Sequence, residues 1–339
     1  MTQEIIRARA QLLRRTREFF FNEGYIEVDT PLLVPEVIPE AHIDLFETCY
    51  DDPYDESLRT KLYLIPSPEV SLKPLIGTMG GRIFQLGHCF RNRESIGTHH
   101  NPEFTMLEYY ESGVDEHDLL RRTAAYLRYL LRDPNLGALA RNSGRLEVIA
   151  REPLVMTVAE AFERFLGIEL FQGPDDEGNA EALAERCRSR GLSPPEEAEW
   201  PELFDYVMAS SLEPALPRDA PVFLTDYPVG CHVLARRGGD GRTRRRWELY
   251  LCGIEIANCF MEETSPENVR RFLDRQEEER RRRGASEVRS AESIENALDG
   301  VSPVAGAALG FDRLLMCMSG VSTIEGVIFS PLHDSLRRR

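Results

Sequence analysis

The chain has 339 residues, of which 42% are hydrophobic and 29% charged, a composition typical of a globular protein with its own core. No apolar run approaches the roughly 20 residues that span a bilayer, and the charged N-terminal residues favour a helix over a signal peptide. The formal net charge of −16 argues against nucleic acid as a partner, because phosphate contacts favour basic surfaces. We therefore expect a basic or small partner, and neither a membrane nor tRNA.

The seven cysteines are scattered along the chain and form no CxxC pair. An odd, dispersed set fits reduced thiols better than a disulfide framework or a zinc site. The cysteines therefore predict a cytoplasmic protein.

Helices and strands are predicted in alternation along the first third of the chain. Residues 3–23 carry apolar side chains at helical spacing, and Gly24 suits the position just after a helix end. "YIEVDTPLLVP" predicts a strand that closes into a turn near Pro31, and "KLYLIPSPEVSLKPLI" predicts a strand, a turn and a short helix. "RIFQLGHCFRN" and "EFTMLEYYE" alternate as strands, so we expect an antiparallel hairpin around a loop at residues 91–101.

The rest of the chain continues this mixture. Residues 115–132 predict an amphipathic helix, and the polar stretch 171–200 predicts an inserted subregion. "RWELYLCGIEIANCF" predicts a second hairpin, preceded by an arginine run at 242–246 that we expect to be a solvated loop. Residues 265–284 predict a solvated surface helix that ends at Gly284. Strands and helices interleaved with hairpins predict an α+β fold with an antiparallel sheet flanked by helices.

Two carboxylates in the second hairpin are candidates for a metal site. If Cys252 and Gly253 form a two-residue turn, Tyr250 pairs with Glu255, and Glu248 lies diagonally across the same face. Such neighbours are about 5 to 8 Å apart, so the two carboxylates repel unless a cation lies between them. Mg²⁺ takes one or two carboxylates together with substrate phosphates. The alternative is two carboxylates on a hydrated sheet face, and the hairpin alone leaves both open.

The segment "FRNRESIGTHHNPEFTMLEYYE" combines groups that suit phosphate, purine and amine. Arg91 offers a planar fork to a phosphate, and Glu94 can accept from an exocyclic amine. Alternation from Phe104 places Glu108 and Tyr110 on its face, which gives a ring for stacking beside a carboxylate and a phenol suited to an ammonium group. The alternative is a half-buried edge strand with a salt bridge.

A third segment, "GAALGFDRLL", supplies two glycines and an arginine. Gly306 and Gly310 permit close backbone approach to a ligand, and Arg313 can stack on an aromatic plane. The segment does not match the phosphate-binding P-loop, and the chain has no GxGxxG after a strand, no GxSxG and no HExxH. P-loop, Rossmann and common hydrolase functions are therefore disfavoured.

In this order, three segments resemble the signature motifs of class II aminoacyl-tRNA synthetases. "NEGYIEVDTPLL" resembles motif 1, "FRNRE…HHNPEFTMLEYY" motif 2 and "GAALGFDRLL" motif 3. "HNPEFTMLE", "SPEVSLKPLI" and "GIEIANCF" resemble the lysyl branch, and the pattern is similar to the elongation factor P–(R)-β-lysine ligase family, a lysyl-tRNA synthetase paralogue without the anticodon-binding domain. Ala308, where lysyl-tRNA synthetases tend to have glycine, fits that family. The resemblance implies one class II catalytic domain over residues 1–339.

The resemblance also implies a function. It implies ATP-dependent activation of (R)-β-lysine or lysine as the adenylate, transfer to a lysine side chain of elongation factor P, and a homodimer using ATP and Mg²⁺. Arg91 and Arg313 would be catalytic. The implied ATP-binding residues are Arg91, Asn92, Arg93, Glu94, His100, Asn101, Phe104, Glu255, Ile256, Gly310 and Arg313. The implied substrate-binding residues are Ser67, Pro68, Glu69, Glu108, Tyr110, Asn258, Glu262 and Ala308, and Glu248 and Glu255 would hold the metal.

Two alternatives remain beside this function: a small-molecule amide synthetase, and a non-catalytic regulatory paralogue. The sequence also departs from the family pattern. Glu94 is three residues after Arg91 where R-x-E is usual, and Cys259 replaces a usual glycine. Strict alternation from Glu255 would turn Asn258 and Glu262 away from the site. We therefore expect the strand to bend near Asn258.

Overall fold

A computed structural model describes residues 2–55, 57–94, 97–171, 178–301 and 303–332. The strands are β1 Ile26–Glu27, β2 Leu33–Val34, β3 Glu47–Asp51, β4 Arg59–Leu64, β5 Arg82–Phe90, β6 Glu103–Ser112, β7 Leu154–Thr157, β8 Val222–Pro228, β9 Thr243–Leu251, β10 Ile254–Met261 and β11 Val304–Gly310. The α-helices are α1 Gln3–Asn22, α2 Glu69–Met79, α3 Glu116–Leu131, α4 Pro134–Asn142, α5 Leu146–Ala150, α6 Val158–Ala161, α7 Ala180–Ser189, α8 Trp200–Val207, α9 Glu213–Ala215, α10 Pro266–Arg282 and α11 Phe311–Ser319.

The main sheet has eight strands in the order β1-β5-β6-β11-β10-β9-β8-β7, and β2, β4 and β3 form a second sheet. The interior pairs of the main sheet are antiparallel, whereas β1 pairs with β5 and β7 with β8 in parallel. The predicted α+β fold is therefore confirmed, with parallel strand pairs added at both edges. Both predicted hairpins, β5–β6 and β9–β10, are present.

Helices α1, α3, α4 and α11 pack on one face of the main sheet around the largest hydrophobic cluster. Helix α1 begins where the Thr2 hydroxyl accepts a hydrogen bond from the amide of Ile5, and it is followed by Gly24 at φ 80°. Its fully buried Leu12 and Phe20 contribute to this cluster, where burying such a side chain is worth about 1.5–3 kcal/mol. This packing fixes β6 and β11, which carry much of the candidate site.

The polar stretch at 171–200 contributes to a second hydrophobic cluster. Residues 172–177 lie outside the described part of the chain, but α7 buries Leu183, Ala184 and Cys187 in this cluster. The cluster also takes in Trp200 from α8 and the neighbouring face of the main sheet. The described part of this stretch is therefore packed onto the sheet, and its being an insertion stays a prediction.

One expectation for a charged segment is wrong, and another is confirmed in part. Residues 242–246 do not form a solvated loop, because β9 begins at Thr243, and Arg245 lies 2.8 Å from the carboxylate of Glu116. Helix α10 is exposed on one side only. Its buried Arg280 donates to the carbonyls of Glu40 and Ile43, both at 2.9 Å, so one face of this charged helix fastens a loop.

Within the described ranges, no helix combines the length and apolar character needed to cross a membrane.

Candidate active site

Strands β6 and β11 form the floor of a buried pocket rich in carboxylates. Their register places Glu108 opposite Ala308 and Tyr110 opposite Gly306. A side chain at Gly306 would lie 2.3 Å from the Tyr110 ring and 2.8 Å from a carboxylate oxygen of Glu262. Only glycine therefore fits here, and its absence of a side chain brings the groups of β6 and β10 together. We call the set Glu69, Lys73, Glu108, Tyr110 and Glu262 the amine pocket.

Lys73 forms ion pairs with two carboxylates of the amine pocket, one on helix α2 and one just after strand β10. Its Nζ lies 2.8 Å from Glu262 Oε2 and also forms an ion pair with Glu69, one helical turn earlier in α2. Lys73 and Glu262 are only 3% and 1% exposed. One buried ammonium thus faces two carboxylates, which leaves the pocket with an excess of negative charge.

Glu108 is a further carboxyl group of this pocket. Its Oε1 accepts a hydrogen bond of 2.8 Å from the Tyr110 hydroxyl, and its Oε2 is buried with no partner among the described residues. Burial, followed by the charge of Glu69, raises the pKa of Glu108 to about 8. Burial also raises the pKa of Glu262, against the opposing effect of Lys73. An unpartnered buried oxygen and carboxyls of raised pKa are what a cationic ligand would relieve.

The expected bend between Glu255 and Asn258 is a β-bulge. Glu255 pairs with Tyr250, but Ala257 pairs with Leu249, so Ile256 is the extra residue. The bulge shifts the alternation by one position and brings Asn258 opposite both Glu248 and Ala308, on the side of the site. Cys259 consequently points into the core, where it is fully buried, so its replacement of a usual glycine does not alter the pocket.

Two arginines lie at the other end of the same floor. Arg313, near the start of α11, donates to the Glu255 carbonyl at 2.9 Å and to its carboxylate at 3.3 Å. Arg91, just after β5, lies 5.2 Å from the centre of the Phe104 ring, and its Nε is buried without a partner in the described structure. Both arginines line a cavity of about 110 Å³ that also includes Phe104, Glu94 and Gly310.

The chain can be compared with known proteins on this geometry. Residues 1–334 match the family described as tRNA synthetases class II (D, K and N). The chain is 32% identical over 327 residues to the elongation factor P–(R)-β-lysine ligase of Proteus mirabilis, a match covering 96% of this chain and 94% of the relative. Ligases of the same name from Pseudoalteromonas translucida and Vibrio cholerae are each 34% identical, over 95% and 96% of this chain and 94% of each relative.

The chain belongs to the elongation factor P–(R)-β-lysine ligase family. The predicted resemblance is thereby confirmed, and with it the class II synthetase fold. Motif 2 lies on β6, and motif 3 lies on β11 and α11. Because β6 and β11 are paired strands, the two motifs share one floor, although about 200 residues separate "HNPEFTMLE" from "GFDR" along the chain.

Most residues that the family resemblance assigned to ATP line the small cavity, but some do not. Arg91, Glu94, His100, Asn101, Phe104, Glu255, Ile256, Gly310 and Arg313 line it, together with Asn258 and Ala308. Asn92 instead donates to the Leu45 carbonyl at 3.3 Å and accepts from the amide of Arg93, whose side chain is exposed. Neither Asn92 nor Arg93 lines this cavity.

Two polar side chains at the cavity wall are already engaged. The amide of Asn101 donates to the Glu103 carbonyl at 2.5 Å, so Asn101 shapes the loop before β6. The Nε2 atom of His100 accepts from Arg313 at 2.8 Å, because a guanidinium can only donate. Burial, then Arg313, lowers the pKa of His100, which favours a neutral ring whose Nδ1–H remains free to donate.

Serine, proline and glutamate of "SPE" lie at the start of α2. Pro68 is the residue before the helix, and its carbonyl accepts from the amide of Ser71 at 3.0 Å; Glu69, the first residue of the helix, forms the ion pair with Lys73. Ser67 is half-buried beside them. The segment thus positions one carboxylate of the amine pocket.

The two hairpin carboxylates fit a divalent cation in part. Glu248 and Glu255 line one cavity of about 510 Å³, which we call the large cavity, and Glu213 lines it as well. Burial, followed by the charge of Glu248, raises the pKa of Glu255. Glu248 itself accepts from the Tyr250 hydroxyl at 2.7 Å and pairs with Arg246. This crowding of carboxylates is what a cation would relieve.

In the described ranges, no group of three or more His, Cys, Asp or Glu side chains forms a complete metal site. The hairpin pair suits Mg²⁺, because this ion needs only one or two carboxylates when substrate phosphates complete its shell. A zinc-type cage is a poorer fit to these residues.

Sequence reasoning missed three residues that shape the site. Lys73 has a signal in the sequence, because it follows Glu69 by four residues in a helix. Arg246, which pairs with Glu248, was assigned to a loop. Glu40, which lines the large cavity beside Glu69, lies in an irregular segment without a periodic pattern.

Proposed function

We propose that the chain is an ATP-dependent ligase that activates (R)-β-lysine, or lysine, as an adenylate and transfers it to a lysine side chain of elongation factor P. The supporting observation is a single floor, β6 and β11, which among the described residues has an unpartnered guanidinium nitrogen, Arg91 Nε, at one end and an unpartnered carboxylate oxygen, Glu108 Oε2, at the other. The names of the relatives supply the identity of the amino acid and of the acceptor protein.

The amine pocket suits an amino acid with two ammonium groups. Glu108 and Glu262 are buried, and the single cation Lys73 does not balance them together with Glu69. A second positive charge on the substrate would complete charge-assisted hydrogen bonds to these carboxylates. An amino acid with an apolar side chain would leave the buried Oε2 of Glu108 without a partner, and an unsatisfied buried polar group costs about 1–3 kcal/mol.

The opposite end suits a triphosphate. Arg91 and Arg313 would contact phosphate oxygens, and Phe104 would stack on the purine. Glu248 and Glu255 would hold Mg²⁺, which supplies charge neutralisation on the phosphates when bound. The arginines then stabilise the charge that develops when the substrate carboxylate attacks the α-phosphate and pyrophosphate leaves.

The protein contributes mainly by positioning. The floor holds the amino groups and the phosphates of the two substrates in a fixed relation, and such orientation is worth roughly 7 to 11 kcal/mol. The amine of the acceptor lysine then attacks the carbonyl carbon of the adenylate, and AMP leaves. The product is an amide between the amino acid and the lysine side chain.

We further propose that this ligase acts as a cytoplasmic homodimer that does not use tRNA. Phe21, just before motif 1 in α1, and Ile26 and Leu33, within motif 1 in β1 and β2, are 52%, 53% and 43% exposed, an apolar surface that a second copy would cover. All seven cysteines are free thiols, in agreement with a reducing compartment. Light scattering of the purified chain tests the dimer.

The test of the ligase function is intact-mass analysis of elongation factor P. The acceptor is incubated with this protein, ATP, Mg²⁺ and (R)-β-lysine, and the modified residue is located by peptide fragmentation. We expect a gain of one β-lysyl group on one lysine. Amino-acid-dependent pyrophosphate exchange without any mass gain on the acceptor would instead identify a small-molecule amide synthetase, and no exchange would identify a non-catalytic paralogue.

A further inference from the structure

The loop between β2 and β3 holds a carboxylate at the edge of the proposed site. Glu40 lies in this loop, which helix α10 fastens at several points. Arg280 donates to the carbonyls of Glu40 and Ile43, both at 2.9 Å, and the Gln276 side chain accepts from the amide of Ala41 at 2.8 Å. The backbone that carries Glu40 is therefore fixed relative to the sheet.

Glu40 lines the large cavity together with residues from both ends of the site. The same cavity is lined by Glu69 of the amine pocket and by the hairpin carboxylates Glu248 and Glu255. An acceptor side chain that enters this cavity would thus meet Glu40 while it approaches the junction between amino acid and phosphate.

The carboxylates of the amine pocket and of the hairpin each have a partner. Glu69 and Glu262 pair with Lys73, and Glu108 accepts from Tyr110. Glu248 pairs with Arg246, and Glu255 with Arg313. Among the residues that the structure describes, the Glu40 carboxylate forms neither a hydrogen bond nor an ion pair. Asp205 of α8 also lines this cavity without such a partner, but its charged neighbours are Arg246, Glu248 and Glu202, whereas Glu40 lies beside Glu69 and Lys73 of the amine pocket and remains available to a cation that enters there.

The charges around Glu40 come from three elements. Helix α2 contributes Glu69 and Lys73, the segment after β5 contributes Arg91, and α10 contributes Glu279 and Arg275 on the cavity wall. Glu40's own loop adds His42, whose pKa is lowered by burial and then by Arg283. Burial, then Glu69, raises the pKa of Glu40 to about 7, and Arg91 and Lys73 oppose the shift.

We propose that Glu40 is the base that takes a proton from the acceptor lysine before this amine attacks the adenylate. The inference rests on the proposed ligase function. A lysine ammonium has an unperturbed pKa of about 10.4, so nearly all of it is protonated and non-nucleophilic near neutral pH. A general base is most effective when its own pKa lies near the working pH.

The step balances as follows. The acceptor ammonium gives one proton to the Glu40 carboxylate and becomes a neutral amine. The lone pair of this amine forms the C–N bond at the carbonyl carbon of the adenylate, and the bond from that carbon to the phosphate oxygen breaks, so AMP leaves. The second proton on nitrogen is lost to solvent as the amide forms, and Glu40 later returns its proton to solvent.

The test separates adenylate formation from transfer in the Glu40→Gln variant. Pyrophosphate exchange with (R)-β-lysine should stay within about threefold of wild type in both kcat and KM, because no acceptor takes part. Single-turnover transfer to elongation factor P should fall by about 10²-fold or more, the usual contribution of a general base. Glu279→Gln, which removes the same charge from the same cavity, should transfer at the wild-type rate.

Trapping with hydroxylamine is a second measurement, because a structural defect in the variant would also slow formation of the trapped product. It is largely unprotonated at neutral pH, so it needs no base, and it traps the adenylate as a hydroxamate. Glu40→Gln should form the hydroxamate at the wild-type rate while it fails to modify the protein acceptor. Its transfer rate should also keep rising with pH, whereas the wild-type rate should level off above about pH 7, where a base of matched pKa is already ionised.

Three outcomes would overturn the proposal. Unimpaired transfer by Glu40→Gln would show that Glu40 is not the base. A rise of tenfold or more in the KM for (R)-β-lysine during exchange makes Glu40 part of the amine pocket, and a parallel loss of hydroxamate makes its role structural. Failure of the wild-type protein to catalyse exchange or transfer is a separate result, which contradicts the ligase function itself.

Discussion

Arg313 binds both the backbone and the side chain of Glu255. The Nη1 atom of Arg313 lies 2.9 Å from the Glu255 carbonyl oxygen and 3.3 Å from the Glu255 carboxylate. The contact joins α11, which carries the second half of the third motif, to the hairpin that carries the metal pair. One guanidinium thus fixes the separation between two segments that the proposed triphosphate would bridge, while its Nη2 atom donates to His100 and its Nε atom to the His99 carbonyl.

Loss of this guanidinium should affect the chemical step of activation. We predict that Arg313→Ala lowers the rate of (R)-β-lysine-dependent pyrophosphate exchange by about 10²- to 10³-fold, the cost of removing one group that stabilises transition-state charge. Arg271→Ala, in an exposed ion pair with Glu267 on α10, is the control and should retain the wild-type rate. A similar loss in both variants would contradict a specific role for Arg313.

Removal of a hairpin carboxylate should change the dependence on Mg²⁺. We predict that Glu255→Gln raises the Mg²⁺ concentration for half-maximal exchange by about tenfold or more, because a neutral amide is a weaker ligand for a hard cation. The measurement is the exchange rate as a function of free Mg²⁺ at fixed ATP. Glu202→Gln, on the wall of the large cavity, is the charge-matched control. An unchanged Mg²⁺ requirement in Glu255→Gln would remove this residue from the metal site.

A single methyl group on β11 should close the amine pocket. Gly306→Ala would place a carbon 2.3 Å from the Tyr110 ring, so the ring and the Glu262 carboxylate must both shift. We predict a KM for (R)-β-lysine at least tenfold higher, with little change in the KM for ATP. Gly87→Ala on neighbouring β5, whose new methyl would meet no described atom closer than 3.5 Å, should leave both constants unchanged. Equal effects on both substrates would argue for a general defect of the sheet.

Substrate binding should release protons from the amine pocket. The folded-state pKa of Glu108, about 8, lies above that of an unfolded carboxyl, so near neutral pH the folded protein binds a proton that the unfolded chain does not. Its contribution to stability is therefore present at low pH and is lost as pH rises toward this pKa. An ammonium placed beside Glu108 favours the ionised form and expels the proton.

We predict that calorimetric titration with (R)-β-lysine near neutral pH, in two buffers of different ionisation enthalpy, shows net proton release. The release should be smaller in Glu108→Gln, and the thermal stability of this variant in the absence of ligand should decrease less as pH rises from about 6 to 8. Proton uptake on binding, or an unchanged release in the variant, would contradict the assignment.

Local patterns predicted much of the site because strands alternate with a period of two. Alternation along β6 placed Phe104, Glu108 and Tyr110 on one face, and the structure has them there. The two-residue turn at Cys252 and Gly253 fixed the pairing of Tyr250 with Glu255. Both predictions needed only neighbouring residues.

The remaining features depend on contacts between distant segments. The bulge at Ile256 allows β10 to pair in register with both β9 and β11. No residue in "GIEIANCF" predicts a bulge. The link from Lys73 to Glu262 spans most of the chain, and the loop of Glu40 is positioned by Arg280 of α10, a helix whose pattern predicted only a solvated surface. Tertiary packing, which periodicity does not encode, decides all three.

The central claim is that one floor joins a triphosphate site to a pocket for a second ammonium group. Its most direct test is ATP–pyrophosphate exchange by the wild-type protein with (R)-β-lysine, lysine and norleucine, which lacks the terminal amino group. We predict exchange with one or both diamino acids and at least a hundredfold weaker exchange with norleucine. Exchange that is equally strong with norleucine, or absent with every diamino acid, would contradict the claim.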